Sequence, residues 1–271
     1  APEVTQTFAV SSPVQSITFT STPPHPGVVG TRYLVSAVGG ASGNAIVVSS
    51  LTPTVCSASG NAISFLQIGN CTIAADQAGG GGYLPAPQIT QLINVMASQA
   101  ITLLSTPPNP ALVGDSYTIQ ATGGASANPI VVSSKPPGIC GGNGNAVKLL
   151  AAGNCVVAVN QAGGNGYLPA DEVTQNFVVG IGQVITFTST PPNKIVVGST
   201  YIVTATGGGS GNPVVFSSTT SSTSSVAGST VTMLAAGDCS IAANQAGSGP
   251  YTPAPEATQS FKISPKAGIA V

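Results

Sequence analysis

The sequence predicts an all-β chain of three tandem β-sandwiches with Greek-key connections, about seven strands in each. Three observations predict it. The first is composition: 34 Gly and 22 Pro are about a fifth of the 271 residues. Together with abundant Thr, Ser and Val, and no segment holding a helical period, they describe short β-branched strands joined by turns. The second is a repeat. "ITFTSTPP" at Ile17 returns as "ITLLSTPP" at Ile101 and "ITFTSTPP" at Ile185, two equal steps along the chain. Gly30, Gly114 and Gly198 keep that step, as do Tyr33, Tyr117 and Tyr201, then Tyr83, Tyr167 and Tyr251, then Gln91, Gln175 and Gln259. The third is the spacing of turn signals inside each repeat, about every 8–12 residues, which is the rhythm of a sandwich.

Repeat one shows the expected elements in order. "SITFTS" at Ser16–Ser21 alternates apolar and polar residues and reads as a half-buried strand. "TPPHPG" breaks it with three prolines. "TRYLVSAV" at Thr31–Val38 alternates again, with Tyr33, Val35 and Ala37 on one face. "GGASGN" is a turn, and "AIVVSS" at Ala45–Ser50 is a short apolar strand. "TVCSAS" and "AISFLQ" flank Gly60–Asn61 and form a hairpin. "CTIAADQ" at Cys71–Gln77 and "QITQLINV" at Gln88–Val95 are the last two strands, separated by the loop "AGGGGYLPAP". Aromatic residues are few, so the expected cores are mostly Val, Ile, Ala and Leu.

The five cysteines fall into two columns of the repeat. Cys71, Cys155 and Cys239 form one; Cys56 and Cys140 form the other, a constant distance upstream. The third member of the second column is Ser224. The periodicity pairs Cys56 with Cys71 and Cys140 with Cys155 as disulfides, and leaves Cys239 as a free thiol, either buried as a small hydrophobe or joined to a neighbouring chain by an intermolecular disulfide. A cysteine metal site does not fit, since there is no Cys-x-x-Cys and no nearby histidine to complete four ligands. Each pair closes a loop of about 15 residues, worth about 3 kcal/mol in the chain-entropy model. This spacing differs from the cross-sheet cysteine spacing of antibody domains, and no tryptophan is present. Without the bridge, and with the Ser/Thr-rich stretch "SSTTSSTSSVAGS", repeat three is expected to be the loosest, above all across Thr219–Ser224.

The segments "ITFTSTPP", "VGSTYIVTATGGGSGNPVVFSS", "AAGDCSIAANQAG" and "PAPEATQSF" together resemble the tandem bacterial Ig-like repeats of secreted and cell-surface proteins. The resemblance covers nearly the whole chain in three copies. It implies an extracellular array of Ig-like sandwiches serving as spacer, stalk or adhesive module, without catalytic residues.

The expected division is Ig-like repeat 1 at 11–97, repeat 2 at 98–180 and repeat 3 at 181–264. "APEVTQTFAV" at the start matches "APQITQLINV", "ADEVTQNFVV" and "APEATQSFKI", so residues 1–10 are the last strand of a preceding repeat or a strand donated to a neighbour. Ile269 falls at the first-strand position, so 265–271 is the start of a following repeat or a tail. The chain is accordingly a slice of a longer array or a subunit that exchanges strands.

Charge narrows the function. Charged residues are 5 % of the chain and the net charge is −1, against about 25 % charged in an average globular protein. No basic face exists to neutralise phosphates, so nucleic acid is not a partner. The carboxylates are too scattered for a calcium cage, and no run of 18 apolar residues would span a membrane as a helix. The single histidine, His25, lies in a turn, "PPHPG". The Gly-rich runs lack the Lys-Ser/Thr ending of a phosphate loop. Repeat one has no lysine, so an isopeptide bond is not a property of the repeat. No catalytic residue, cofactor or metal site is expected. Tyr83, Tyr167 and Tyr251 sit in Gly/Pro loops and are the candidates for stacking on a glycan. The paired cysteines place the chain in an oxidising compartment, extracellular or at the cell surface. Two functions remain. One is a structural array in a filament, fibre or stalk that self-associates through strand edges or termini. The other is an adhesin segment binding a glycan or host surface.

Overall fold

The computed structural model describes residues 1–8 and 10–266, so the expected further start at Ile269 lies outside the described residues. Among them, every regular element is a β-strand. The chain divides into two compact units. One comprises Ala1–Thr102, Ala121–Ile130 and Asn160–Val173; the other comprises Leu103–Gln120, Val131–Val159 and Thr174–Val271. Repeat one lies wholly in the first unit and repeat three wholly in the second.

Repeat one contains β1 (Thr18–Phe19), β2 (Gly27–Val28), β3 (Arg32–Leu34), β4 (Ala37–Val38), β5 (Ile46–Ser50), β6 (Cys56–Ser59), β7 (Ala62–Phe65), β8 (Gly69–Gln77) and β9 (Ile89–Met96). One sheet runs β2-β9-β8-β5, the facing sheet runs β3-β7-β6, and β1 pairs with β4. The alternation read from the sequence is the alternation of burial. Tyr33 and Val35, Ile63 and Phe65, Cys71 and Ile73, and Ile93 and Val95 all point into one core. Gly60 turns the β6–β7 hairpin at φ 58°, a conformation that costs a residue with a Cβ. Repeat three repeats the plan. Thr200–Ile202, Thr230–Met233 and Ser224–Ala227 form one sheet, and Val214–Ser218, Gly237–Gln245 and Ala257–Ile263 form the other.

Nine segments replace the seven expected runs. The run Thr31–Val38 is divided between two pairings: β3 joins β7, while β4 joins β1. The proline-rich break also does more than end a strand. It lets the chain cross to the opposite sheet, where Gly27 and Val28 pair in parallel with Val95 and Met96. In repeat two Ala111–Leu112 pairs the same way with Val179–Gly180. Two residues are too short a stretch to show periodicity, which is why the sequence hides this strand.

The cysteine loops need a second correction. Cys56 and Cys71 form a disulfide with Cα atoms 5.7 Å apart, and Cys140 and Cys155 do so at 5.8 Å. Cys56 belongs to the β3-β7-β6 sheet and Cys71 to the β2-β9-β8-β5 sheet. The bridge therefore closes a short loop and also pins sheet to sheet across the core. The sequence spacing conceals this because the hairpin between the two cysteines returns the chain to the other layer.

In repeat three the same two positions meet without a covalent bond. Ser224 and Cys239 are both 0 % exposed, and the Cys239 thiol donates to Ser224 Oγ at 2.9 Å. Ser218 Oγ lies 2.7 Å from Ser224 Oγ, and Thr220 Oγ1 lies at 3.4 Å. The loop before Ser224 is also fastened by its hydroxyls. Ser240 N donates to Thr220 Oγ1 at 3.0 Å, and Thr223 Oγ1 donates to Asp238 O at 2.7 Å. These bonds add to the few apolar contacts that a Ser/Thr-rich loop can make. Because the missing cysteine leaves two adjacent core positions, Ser224→Cys is expected to form a third bridge and stabilise repeat three by up to about 3 kcal/mol. Non-reducing peptide mapping and denaturant unfolding check this; free thiols at 224 and 239 with an unchanged midpoint would refute it.

Candidate functional site

Three polar clasps recur at the step of the sequence repeat, and two of them bear on how one repeat is joined to the next. The first holds the loops at the start of each sandwich. Gln77, Gln161 and Gln245 are buried at the end of the long core strand. Gln77 Oε1 accepts from Gly40 N at 2.7 Å, while its Nε2 donates to Asn44 O at 2.8 Å. Gln161 and Gln245 make the same bonds to Gly124 and Asn128, and to Gly208 and Asn212. A Cβ on Gly39, Gly123 or Gly207 would run into the amide. A buried amide is costly unless both ends are paired, and here both are.

The second clasp fixes the linker. In the first unit, Ser126 N donates to Gln99 Oε1 at 2.9 Å, and Gln99 Nε2 donates to Leu168 O at 2.9 Å and Ala162 O at 3.1 Å. Just upstream, Ala97 N donates to Gly166 O at 2.9 Å and Leu168 N donates to Ala97 O at 2.8 Å. The linker thus pairs as a short parallel bridge with the Tyr167 loop. In the second unit, Ile181 N donates to Pro250 O at 2.7 Å and Thr252 N to Ile181 O at 3.0 Å. Gln183 repeats the amide bonds, to Ser210 N and Ala246 O. Gln15, near the start of repeat one, does likewise with Ser42 N and Ala78 O.

The third clasp is internal to each sandwich. The Tyr33 hydroxyl donates to Gln91 Oε1 at 3.1 Å and lies 2.7 Å from Ser21 Oγ, while Gln91 Nε2 donates to Ser21 O. Tyr117 with Gln175, and Tyr201 with Gln259, repeat it. In the sequence Gln91, Gln175 and Gln259 serve only as landmarks, and the other two glutamine columns are missed. Their signal is the recurrence of a long polar residue between smaller neighbours at each turn of the repeat.

The sequence-selected residues fall into two groups. Cys56–Cys71, Cys140–Cys155 and Cys239 lie in the cores. Tyr83, Tyr167 and Tyr251 are half-buried, each in its own loop. The backbone of Tyr167 and Tyr251 bridges the preceding linker, and the Tyr251 ring lies over Gly209. Beside Tyr251 is an open apolar cleft of about 710 Å³, lined by Pro107, Pro110, Phe177, Gly180, Pro250 and Pro253. Among the described residues, no three of His, Cys, Asp and Glu converge where an ion could sit, and no helix is long and apolar enough to cross a membrane.

Side chain and backbone are closely matched at the second linker. Gly180 is buried, and a Cβ there would meet the methyl of Thr252. Gly180→Ala is therefore expected to destabilise the chain by about 1–3 kcal/mol through overpacking, and Thr252→Ser in the same chain to recover most of the loss. Unfolding midpoints of the two variants are the check; a neutral Gly180→Ala would show that the linker has slack.

No protein-family model matches the chain, and no curated protein matches it. Solved structures do. The N-terminal eight Ig domains of Down Syndrome Cell Adhesion Molecule isoform 1.30.30 align with a TM-score of 0.51 and 15% identity, over 93% of this chain and 37% of that structure. Mouse Cadherin-23 EC22-24 aligns at 0.29 and 15%, over 93% and 100% of the two chains. The S-layer protein rSbsC(31-844) aligns at 0.29 and 15%, over 97% and 42%. The likeness to the first is one of fold: tandem Ig-like β-sandwiches.

Proposed function

We propose that the chain is a structural, non-catalytic part of an extracellular Ig-like array, in a bacterial surface filament, fibre or stalk. Its sandwiches are residues 11–97, 98–180 and 181–264, and residues 1–10 supply a strand to a preceding repeat or to another subunit. The observation that carries this reading is the linker clasp. Short connections are held by backbone bonds on both sides and by a glutamine amide, which restricts bending where tandem domains ordinarily move. The cross-sheet disulfides support an oxidising, extracellular setting. The low charge suits side-by-side packing, because weakly charged surfaces repel little. Bacterial origin rests on the sequence resemblance alone. Antibody labelling of native cells with electron microscopy tests the reading. Decorated filaments or stalks are expected; label confined to soluble monomer in the medium would overturn it.

The second reading, an adhesin segment, draws on the apolar cleft beside Tyr251, whose size is that of small-ligand sites. If it holds, a glycan array gives specific binding that Tyr251→Ala abolishes, with Tyr83→Ala and Tyr167→Ala weaker in effect. Absence of binding by the intact chain would leave the structural reading alone.

A further inference from the structure

We propose that the outer edge of β5 in repeat one is a strand-accepting site, and that its occupant is the Ala1–Phe8 segment of a second copy of this chain. The inference rests on the reading of the chain as a self-associating array and names the surface through which it associates.

Three features of β5 point to strand addition. It is the terminal strand of its sheet, paired with β8 alone. Leu51 N donates to Thr72 O, which continues the β5–β8 register. In an antiparallel ladder the N–H and C=O of one residue face the same side and alternate along the strand. Val47, Ser49 and Leu51 thus serve β8, while Ile46, Val48 and Ser50 present their backbone groups outward, where no strand lies among the described residues. Second, a groove of about 390 Å³ opens beside the Ile46–Val48 part of this edge, lined also by Val35, Ala37 and Asn61 from across the sandwich opening and by Gln77 with the loop 39–44 that it clasps. An open edge beside a groove that takes alternate side chains is the geometry of strand addition. Third, the edge is unguarded. Exposed edges are ordinarily blunted by charge, above all lysine. "AIVVSSL" carries none, and leaves Val47 62 % and Leu51 51 % exposed.

The other repeats explain the choice of repeat one. In repeat two the matching strand, Ile130–Lys135, ends on a lysine at the position of Leu51. In repeat three Phe216 stands where repeat one has Val48, a larger side chain at the edge of the sandwich opening.

The occupant is supplied by the chain itself. Among the described residues Ala1–Phe8 has no strand partner, and it is exposed throughout, with Val4 91 % and Phe8 78 % exposed. "APEVTQTF" matches the segments that begin at Ala86, Ala170 and Ala254 and run into the strands Ile89–Met96, Val173–Gly180 and Ala257–Ile263. Val4 and Phe8 fall on the same side of an extended segment, so both can face the groove while the backbone pairs with Ile46, Val48 and Ser50.

Sedimentation velocity of the intact chain over a concentration series tests this, beside a Val47→Lys/Leu51→Lys variant, a Phe8→Lys variant and a synthetic Ala1–Phe8 peptide as competitor. All substituted positions are exposed, and Leu51→Lys copies Lys135, so unfolding midpoints should not change. Concentration-dependent oligomers are expected, with the association midpoint raised about tenfold or more by either variant, roughly 1.4 kcal/mol, and by excess peptide. Oligomers indifferent to both variants would overturn this site and leave self-association standing. An intact chain that stays monomeric would overturn the site and self-association together, leaving the extracellular-array reading to the imaging experiment.

Discussion

Each repeat is organised around one link across its two sheets. The two linked core positions belong to opposite layers, so the link holds the layers together across the core. In repeats one and two the link is covalent. In repeat three a thiol-to-hydroxyl hydrogen bond occupies the same place, backed by Ser218 and Thr220. The surroundings already anticipate this exchange. In repeat one Ser50 Oγ lies 3.3 Å from Cys56 Sγ and Thr52 Oγ1 lies 3.6 Å away. The polar neighbours that support the serine thus have counterparts beside the cysteine, so replacing sulfur by oxygen leaves no orphaned hydroxyl. That matters because a buried polar group without a partner costs about 1–3 kcal/mol, which would compound the loss of the bridge.

From that link the rest of the sandwich follows. The cores are built mostly from Ile and Val around the linked positions, with Phe65 in repeat one and Met233 in repeat three, and each holds a single tyrosine whose hydroxyl reaches outward to Gln91, Gln175 or Gln259. Small aliphatic cores leave the sandwich ends short of apolar contact. Buried glutamine amides replace it there, each binding loop backbone through both its donor and its acceptor. Among the described residues no buried side-chain nitrogen or oxygen is without a partner. The arrangement explains how Gly-rich loops such as "GGASGN" are held in place despite their conformational freedom: their backbone groups are the amides' partners. The same chemistry recurs beside the linker, where Gln15, Gln99 and Gln183, near the start of each repeat, bind the same loops.

The fold was legible because burial in a sheet follows alternation, and the constant step of the repeat let three copies of each pattern reinforce one another. Tyr33 and Val35 fall on one face in the sequence, and that face is the buried one. The cysteine pairs were legible for the same reason. What escaped was whatever depends on which layer a segment occupies. The Gly27–Val28 strand and the cross-sheet course of the disulfides both arise when the chain changes sheets, and periodicity within a strand carries no record of that. The clasps escaped because a glutamine in a strand is ordinarily a solvated residue; only the fold shows that Gln77, Gln161 and Gln245 face a loop instead of water.

The two linkers show that strict repetition was not required to keep the joints tight. At the first, Ile68 covers Gly166 so closely that a Cβ on the glycine would strike it. One repeat later those positions are Ala152 and Pro250: the large side chain has become small and the glycine has become proline. At the second linker a different pair takes over, Thr252 against Gly180, where the first linker has Leu168 and Met96. In each case a glycine receives a branched side chain from across the joint, although the partners differ. The backbone bonds of Ala97 and Ile181 are meanwhile alike. Hydrogen bonds thus set the position of the linker, and side-chain volumes adjust around it, which leaves the second linker with an apolar cleft at Ala152, where the first linker has Ile68.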